Sequence, residues 1–255
     1  MTYNQDDATE RWNRNAAKWH QFYGANDPYR RDMLDPVILG VLGDVSGKLV
    51  LDAGCGDGYL ARKVARLGAL VTGVDRSSRM LSLALEEQEK DTLAITYHNA
   101  DIASLSFLPD RSFDVVITNN VIQDVEDYKG AFREFSRLLR SAGTYLQVIN
   151  HPCFAMPVCG WVRDAGGKHL YRKVDRYFKR GPFPVAWRAE TGMEPTVSWH
   201  RTLGDLVNAL ILCGFRIVKL IEPEPPDLRL TADPDRFYGD SRIPDFLVLA
   251  CIRER

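Results

Sequence analysis

The sequence predicts an α/β fold in which βαβ units build a parallel sheet. Three observations carry the prediction. From residue 48 onward, short apolar runs rich in β-branched residues alternate with amphipathic helical patterns. The pitch of that alternation calls for crossover connections, which are right-handed. And the first apolar run, "KLVLDAGC", gives way to glycines at alternate positions, Gly54, Gly56 and Gly58, just before a helical pattern begins. The 255 residues suffice for one large domain or for a domain with a sizeable insertion.

Each element follows from its own pattern. Residues 8 to 23 put Trp12, Ala16, Trp19 and Tyr23 at helical spacing, with Asp6 or Asp7 as the cap. A second helix starts at "NDPYRRDML", with Asp27 as cap and Pro28 in the first turn; its stripe is Leu34, Val37, Ile38 and Val41. "KLVLDAGC" is a buried strand, and "YLARKVARLG" a helix ended by Gly68. "ALVTGVD" is the next strand, and "SSRMLSLALEEQEK" a helix capped by Ser77. "AITYHNAD", "FDVVITNN" and "GTYLQVIN" are three more strands, with the helix "DYKGAFREFSRLLR" between the last two. Residues 151 to 200 break the rhythm with five prolines and with Trp161, Trp187 and Trp199, which marks an aromatic-rich insertion. The helix "RTLGDLVNALILCG" and the strand "FRIVKLIEP" restore it. An acidic, proline-bearing loop then leads to a final strand, "PDFLVLACI".

Composition narrows the function. Hydrophobic content of 45% and charged content of 26% are ordinary for a globular chain. A net charge of −1 argues against a surface built for nucleic acid. No apolar stretch reaches the ~18 residues of a membrane span, and "MTYNQDDATERWNRN" has no hydrophobic signal core. Five scattered cysteines without CxxC spacing argue against a zinc site or a disulfide framework, and point to a reducing, cytoplasmic compartment.

The glycine-rich turn carries the chemistry. Bare glycines after a strand let a ligand approach the main chain closely. In an open α/β sheet, ligands sit at the carboxyl ends of the strands, near the reversal of strand order. Asp75 closes the second strand, where a carboxylate accepts from both hydroxyls of a ribose, so the expected ligand is a nucleoside-containing cofactor. A nicotinamide dinucleotide would use G-x-G-x-x-G; here Tyr59 holds the third glycine's place. Asp52, two residues before Gly54, would repel a pyrophosphate and suits an ammonium or a sulfonium.

In "LDAGCGDG", in "GVDRS", in "NADI" and in "FDVVITNNVIQDVED" followed by "SRLLRSAGTYL", the chain resembles the class I S-adenosylmethionine-dependent methyltransferases. These motifs come in the family's order and cover roughly residues 48 to 150. The resemblance implies a Rossmann-like, doubly wound α/β fold with a seven-stranded sheet whose last strand, "PDFLVLACI", is antiparallel. It also implies S-adenosyl-L-methionine as cofactor. Gly54 and Gly56, with Cys55 between them, would line the methionine portion, and Asp52 would orient its amino group. Asp75 would grip the ribose, with Arg76 beside the adenosine and Met80 supporting adenine or its sugar. Asp101 would accept from the adenine amino group, Ile102 would pack on the ring, and Asn119 would close over the methionine. Asp52 and Asp101 would otherwise be strand-end caps, and Met80 helix core.

The acceptor side is read from what surrounds this core. The expected layout is an N-terminal helical lid over residues 1–46, a cofactor-binding core over 47–150, an acceptor-site cap over 151–200 and the end of the core sheet over 201–255. His151, directly after the fifth strand in "INHPCF", is the first candidate for a general base, or else a turn residue capping the strand. His200 in "SWHRTL" is the second, or else a helix cap or packing residue. Tyr29 is the third candidate for a catalytic contact. In "NVIQDVED", Gln123 and Asp124 stand where family members carry polar acceptor contacts, although Asp124 equally caps the following turn. Seven basic residues between Arg163 and Arg180 suit either an anionic acceptor or a solvated lid face. Asp101, Asp124 and Asp127 form no clear oxygen-ligand set, so no metal is expected. The reading is an enzyme that methylates a small organic, aromatic or natural-product-type acceptor, with no nucleic acid or membrane partner. The insertion offers a surface for a homodimer. Two alternatives stay open: an NAD(P)-dependent oxidoreductase and a non-catalytic cofactor-binding module.

Overall fold

Seven strands form one sheet in the order β3-β2-β1-β4-β5-β11-β10 in the computed structural model, which describes residues 3–24, 27–227 and 241–254. They are β1 (Leu49–Ala53), β2 (Leu70–Asp75), β3 (Ile95–Asn99), β4 (Phe113–Asn119), β5 (Leu139–Asn150), β10 (Phe215–Ile221) and β11 (Phe246–Arg253). The first five run parallel, and β11 is antiparallel to both β5 and β10. Strand order reverses between β1 and β4, so their carboxyl ends flank the crevice where open α/β sheets take ligands.

Side chains alternate between two faces, which explains the continuous apolar runs. Leu51, Ala53 and Val116 join Phe132, Phe135 and Leu206 in one buried cluster, while Val50, Val115 and Ile117 join Leu34, Ile38 and Leu60 in the other. Covering these faces are α2 (Asp35–Leu42), α3 (Tyr59–Arg66), α4 (Ser78–Glu89), α5 (Tyr128–Leu138) and α6 (Leu203–Leu212). Ser77 caps α4 as expected, accepting from the Met80 N–H at 3.2 Å. Asp127 does the same for α5, and a Thr202–Asp205 capping box starts α6.

The N-terminal segment departs from the sequence reading in two places. The first helix, α1, spans Gln5–Tyr23, and its cap is Asn4, with Asp7 as the reciprocal partner three residues on. Neither Asp6 nor Asp7 is the cap. The expected second helix is divided: Tyr29–Leu34 is π-helical and α2 follows. Pro36 has no N–H to give to Asp32, and the Asp35 N–H reaches back five residues to the Arg30 carbonyl, so the ladder widens just before the proline.

The insertion is built of strands that its prolines hide. A hairpin of β6 (Cys159–Arg163) and β7 (His169–Val174) precedes a second of β8 (Gly181–Val185) and β9 (Thr196–His200). Pro182 and Pro184 alternate along β8 with exposed side chains, and β8 pairs with β9 alone, an edge strand of the kind that tolerates proline. All of β9 is buried, and α1 packs across it and against α4. No helix among the described residues is long and apolar enough to cross a membrane.

Candidate active site

The turn after β1 is shaped by its glycines. Gly54, Gly56 and Gly58 have φ of 79°, 54° and 74°, in the left-handed region. A Cβ at Gly54 would lie 2.4 Å from the Val121 side chain, whereas one at Gly56 would meet nothing within 4 Å. Gly54 therefore lets the loop press against the segment after β4, and Gly56 leaves an opening. The loop's amides are already engaged. Gly54 and Cys55 donate to the Val74 carbonyl at 2.7 and 3.0 Å, and Gly56 donates to Asp75 Oδ2 at 2.8 Å. They do not form the free cradle a pyrophosphate requires.

Asp75 is the hinge of this wall. Its second oxygen accepts from the Ser77 N–H at 2.8 Å, tying the glycine turn to the start of α4, and burial pushes its carboxyl above the ordinary range. Asp52, at 2% exposure, has Oδ2 buried with no partner. Burial first, and then the charge of Asp75, push its carboxyl up to about 7. Asn119 Oδ1 and Arg30 Nη1 are also buried without a hydrogen-bond partner, although Nη1 lies within ion-pair distance of Asp57. Asp57, next in the loop, is different. Burial alone would raise it, but the His20 ring at 2.8 Å and the Arg30 guanidinium at 3.7 Å outweigh that and hold it below its ordinary value.

A cavity of about 720 Å³ opens from this turn. Asp52, Gly54, Cys55, Gly56 and Asp75 line it, and so do Arg76, Met80, Asp101, Ile102 and Asn119. The ten residues the sequence assigned to the cofactor thus share one wall. Arg76 bridges Asp101 at 3.0 Å and Asp6 of α1 at 2.7 Å. The facing wall carries Trp12, Trp19 and Tyr23 of α1, Trp187 of the β8–β9 connection, and Tyr29. A second cavity of about 390 Å³ lies beneath the insertion and shares Gln123, Asn150, Val185 and Ser198 with the first. Of the basic segment, Arg163 lines the larger cavity and Arg172 the smaller, while Arg180 pairs with Asp205 at 2.6 Å.

The two histidines are not where a base is needed. His151 lines neither cavity: its Nε2 lies 3.1 Å from Glu222 Oε1, its Nδ1 accepts from the Cys153 N–H, and burial lowers its pKa. His200 faces only the smaller cavity, and its Nε2 donates to the Tyr177 carbonyl at 2.7 Å. Neither ring lines the larger cavity, so the geometry does not support either as the base expected from its strand-end position. Tyr29 does line the larger cavity, its ring 6.0 Å from that of Phe246.

Asp124 stands out instead. It ends a 3₁₀ turn (Ile122–Asp124) after β4, lines the larger cavity, and its Oδ1 accepts from the Ser198 hydroxyl at 2.5 Å. Burial raises its carboxyl to about 7, against the opposing pull of Ser198, the Trp12 indole and Arg201. The signal for it was present in "NVIQDVED", but an aspartate after a strand reads equally as a cap.

Comparison with known proteins fits this geometry. The family described as a methyltransferase domain matches residues 51–146. The crystal structure of an S-adenosylmethionine-dependent methyltransferase from Mesorhizobium loti is 33% identical, with a TM-score of 0.72, over 86% of this chain and 96% of that one. The ubiquinone biosynthesis O-methyltransferase of Albidiferax ferrireducens is 34% identical over 140 residues, covering 52% of this chain and 56% of the relative. This chain therefore matches only about half the length of that relative. The magnesium protoporphyrin IX methyltransferase of Synechocystis PCC 6803, solved with bound S-adenosylhomocysteine, shares the fold at 20% identity and a TM-score of 0.62, over 98% of this chain and 99% of that one. The protein belongs to the class I S-adenosylmethionine-dependent methyltransferases. It is an enzyme of that class, and its cofactor is S-adenosylmethionine.

Proposed function

We propose that the larger cavity transfers the methyl group of S-adenosylmethionine to a small organic acceptor, an aromatic hydroxyl compound. One observation carries the placement: Asp52 Oδ2 and Asn119 Oδ1, two buried acceptors without a hydrogen-bond donor, stand at the glycine turn beside Arg30, whose Nη1 makes no hydrogen bond and only a 3.7 Å ion pair with Asp57. An amino-acid zwitterion satisfies all three, its ammonium at Asp52 and Asn119 and its carboxylate at Arg30. Asp75 keeps lone pairs for the ribose hydroxyls beyond those used by Gly56 and Ser77. Arg76, Met80, Asp101 and Ile102 enclose the space left for adenine.

The cofactor supplies an activated methyl and its own leaving group, so this chain contributes orientation and the exclusion of water. The wall of Trp12, Trp19, Tyr23 and Trp187 presents aromatic faces and edges to the acceptor and shields the reacting atoms. A hydroxyl acceptor is supported by the O-methyltransferase relatives and by the polar group of Gln123, Asp124 and Ser198 at one end of that wall.

The test is calorimetric titration with S-adenosylmethionine, S-adenosylhomocysteine and NAD, on the wild type and Asp75→Ala. Micromolar affinity for the first two and none for NAD is expected, with the substitution costing about 100-fold, as for loss of hydrogen bonds to a charged group. A panel of phenols, amines and thiols is then scored for a mass gain of one methyl. Turnover confined to amines or thiols overturns the hydroxyl reading, and undiminished binding by Asp75→Ala overturns the placement of the ribose.

A further inference from the structure

We propose that Asp124 is the general base, taking the proton of the acceptor hydroxyl as that oxygen attacks the methyl carbon. The proposal rests on the reading of the larger cavity as the methyl-transfer site. Its geometric basis is the position of the turn Ile122–Asp124. Val121, one residue before the turn, presses on Gly54 of the glycine loop, and Ser198 on β9 holds Asp124 from the cap side. The carboxyl therefore stands between the two walls of the cavity, where an acceptor must meet the methyl donor.

Asp124 is not needed to hold its own turn. Arg201 does that, donating to the carbonyls of Ile122 at 2.8 Å and Glu126 at 3.0 Å, and to that of Val125. The start of the next helix is capped by Asp127, and the Asp124 carbonyl, not its carboxyl, receives the Gln5 side chain at 3.2 Å. Among the described residues, the Ser198 hydroxyl donates to Oδ1 at 2.5 Å, and the Trp12 indole also hydrogen-bonds the carboxyl. The groups that face the carboxyl are Ser198 from β9, the Trp12 indole from α1 and the Arg201 guanidinium from the β9–α6 junction. Each favours its ionised form, and burial opposes them. The balance leaves a group that gains and loses its proton near neutral pH, as proton transfer from a phenol requires.

The step balances. The acceptor O–H bond breaks and its proton passes to the Asp124 carboxylate. The oxygen pair forms the bond to the methyl carbon, and the carbon–sulfur pair leaves on sulfur as a neutral thioether. Asp124 then returns the proton to water.

The first readout needs no acceptor. In protein labelled with 13C at the aspartate carboxyls, the resonance absent from Asp124→Asn is expected to titrate near 7, and to move upward in Ser198→Ala, which removes a bond to the charged form. A midpoint near the ordinary value of about 4 overturns the proposal. The second readout uses 3,4-dihydroxybenzoate and methyl-labelled cofactor. Asp124→Asn is expected to lower kcat by about 100-fold or more. The wild-type rate should rise with pH through the titration of Asp124, and Ser198→Ala should shift that limb upward. An unchanged kcat and pH profile in Asp124→Asn overturns the proposal. Should this phenol not be methylated, the carboxyl titration decides alone. Affinity of Asp124→Asn for S-adenosylhomocysteine is expected to match the wild type. A wild type that does not bind that nucleoside overturns the cavity reading instead, so the two failures are distinguishable.

Discussion

The two walls of the larger cavity are made by different means. One is main chain: positive-φ glycines, amides bonded to Val74 and Asp75, and strand ends fixed on both sides by neighbours in the sheet. The other is side chain: Trp12, Trp19 and Trp187 meet edge to face with ring centroids 5.1 to 5.9 Å apart, and Tyr23 packs on Trp187 at 5.3 Å. Those rings come from α1, which packs on α4 and β9, and from the connection between β8 and β9, all outside the seven-stranded sheet. A surface made of backbone admits little change without disturbing the fold. A surface made of rotamers can be re-cut one residue at a time. In the proposed reading the donor, which does not vary within the class, sits against the first wall, and the acceptor, which does, against the second.

The sharpest way to break that contrast is at Gly54. Alanine there adopts a left-handed φ, costing about 1–2 kcal/mol. It also drives a Cβ to 2.4 Å from Val121, adding about 1–3 kcal/mol of overpacking. The expected outcome is a lower denaturation midpoint and loss of S-adenosylhomocysteine binding. Gly56→Ala is the control, since its Cβ meets no atom within 4 Å and only the same conformational cost of about 1–2 kcal/mol applies. Equal effects at the two positions would show that φ alone, and not contact with the segment after β4, dictates the loop.

Trp187→Ala probes the opposite wall with a smaller effect on stability. The indole donates to Thr196 at 3.2 Å and packs on three rings, each pair worth about 0.5–1.5 kcal/mol beyond area. Its removal should raise KM for the acceptor and leave affinity for the cofactor unchanged. A matching loss of cofactor affinity would mean that the aromatic wall also orders the donor, and the division between walls would fail.

The same contrast governs how much the sequence discloses. Strands β1, β4, β5 and β11 were legible because a strand buried on both faces must be apolar throughout, the edge strands β3 and β10 from their place in the alternation, and the glycine turn because a side chain at Gly54 would meet Val121. The insertion was legible only as a change of composition. Its strands β6 to β8 are half exposed, and two prolines stand in β8. Local patterns also drew attention to His151 and His200, neither of which lines the larger cavity. Both lie at strand ends as read, but Glu222 and the Tyr177 carbonyl, distant in sequence, claim their rings. Asp124 drew its significance from Ser198, 74 residues away, a contact no local pattern contains.

Asp52 offers the finest probe of the backbone wall. Burial and Asp75 place its folded pKa at about 7, well above the ordinary 3.8. The contribution to stability is therefore complete below the ordinary value, and is lost as pH rises through about 7. In the free protein, Oδ2 has no hydrogen-bond partner, and the Ala61 amide and Arg30 only partly offset the cost of burying its charge. An ammonium placed there reverses the balance and drives the carboxyl to ionise, so at neutral pH cofactor binding should release about half a proton from this group. Calorimetric titration in phosphate and in Tris, whose ionisation heats differ, measures that release directly. Asp52→Asn keeps the shape, cannot ionise, and should lower the release by the same amount. Equal release from both proteins would place the ammonium elsewhere and leave Asp52 a strand-end residue whose buried oxygen the cofactor does not meet.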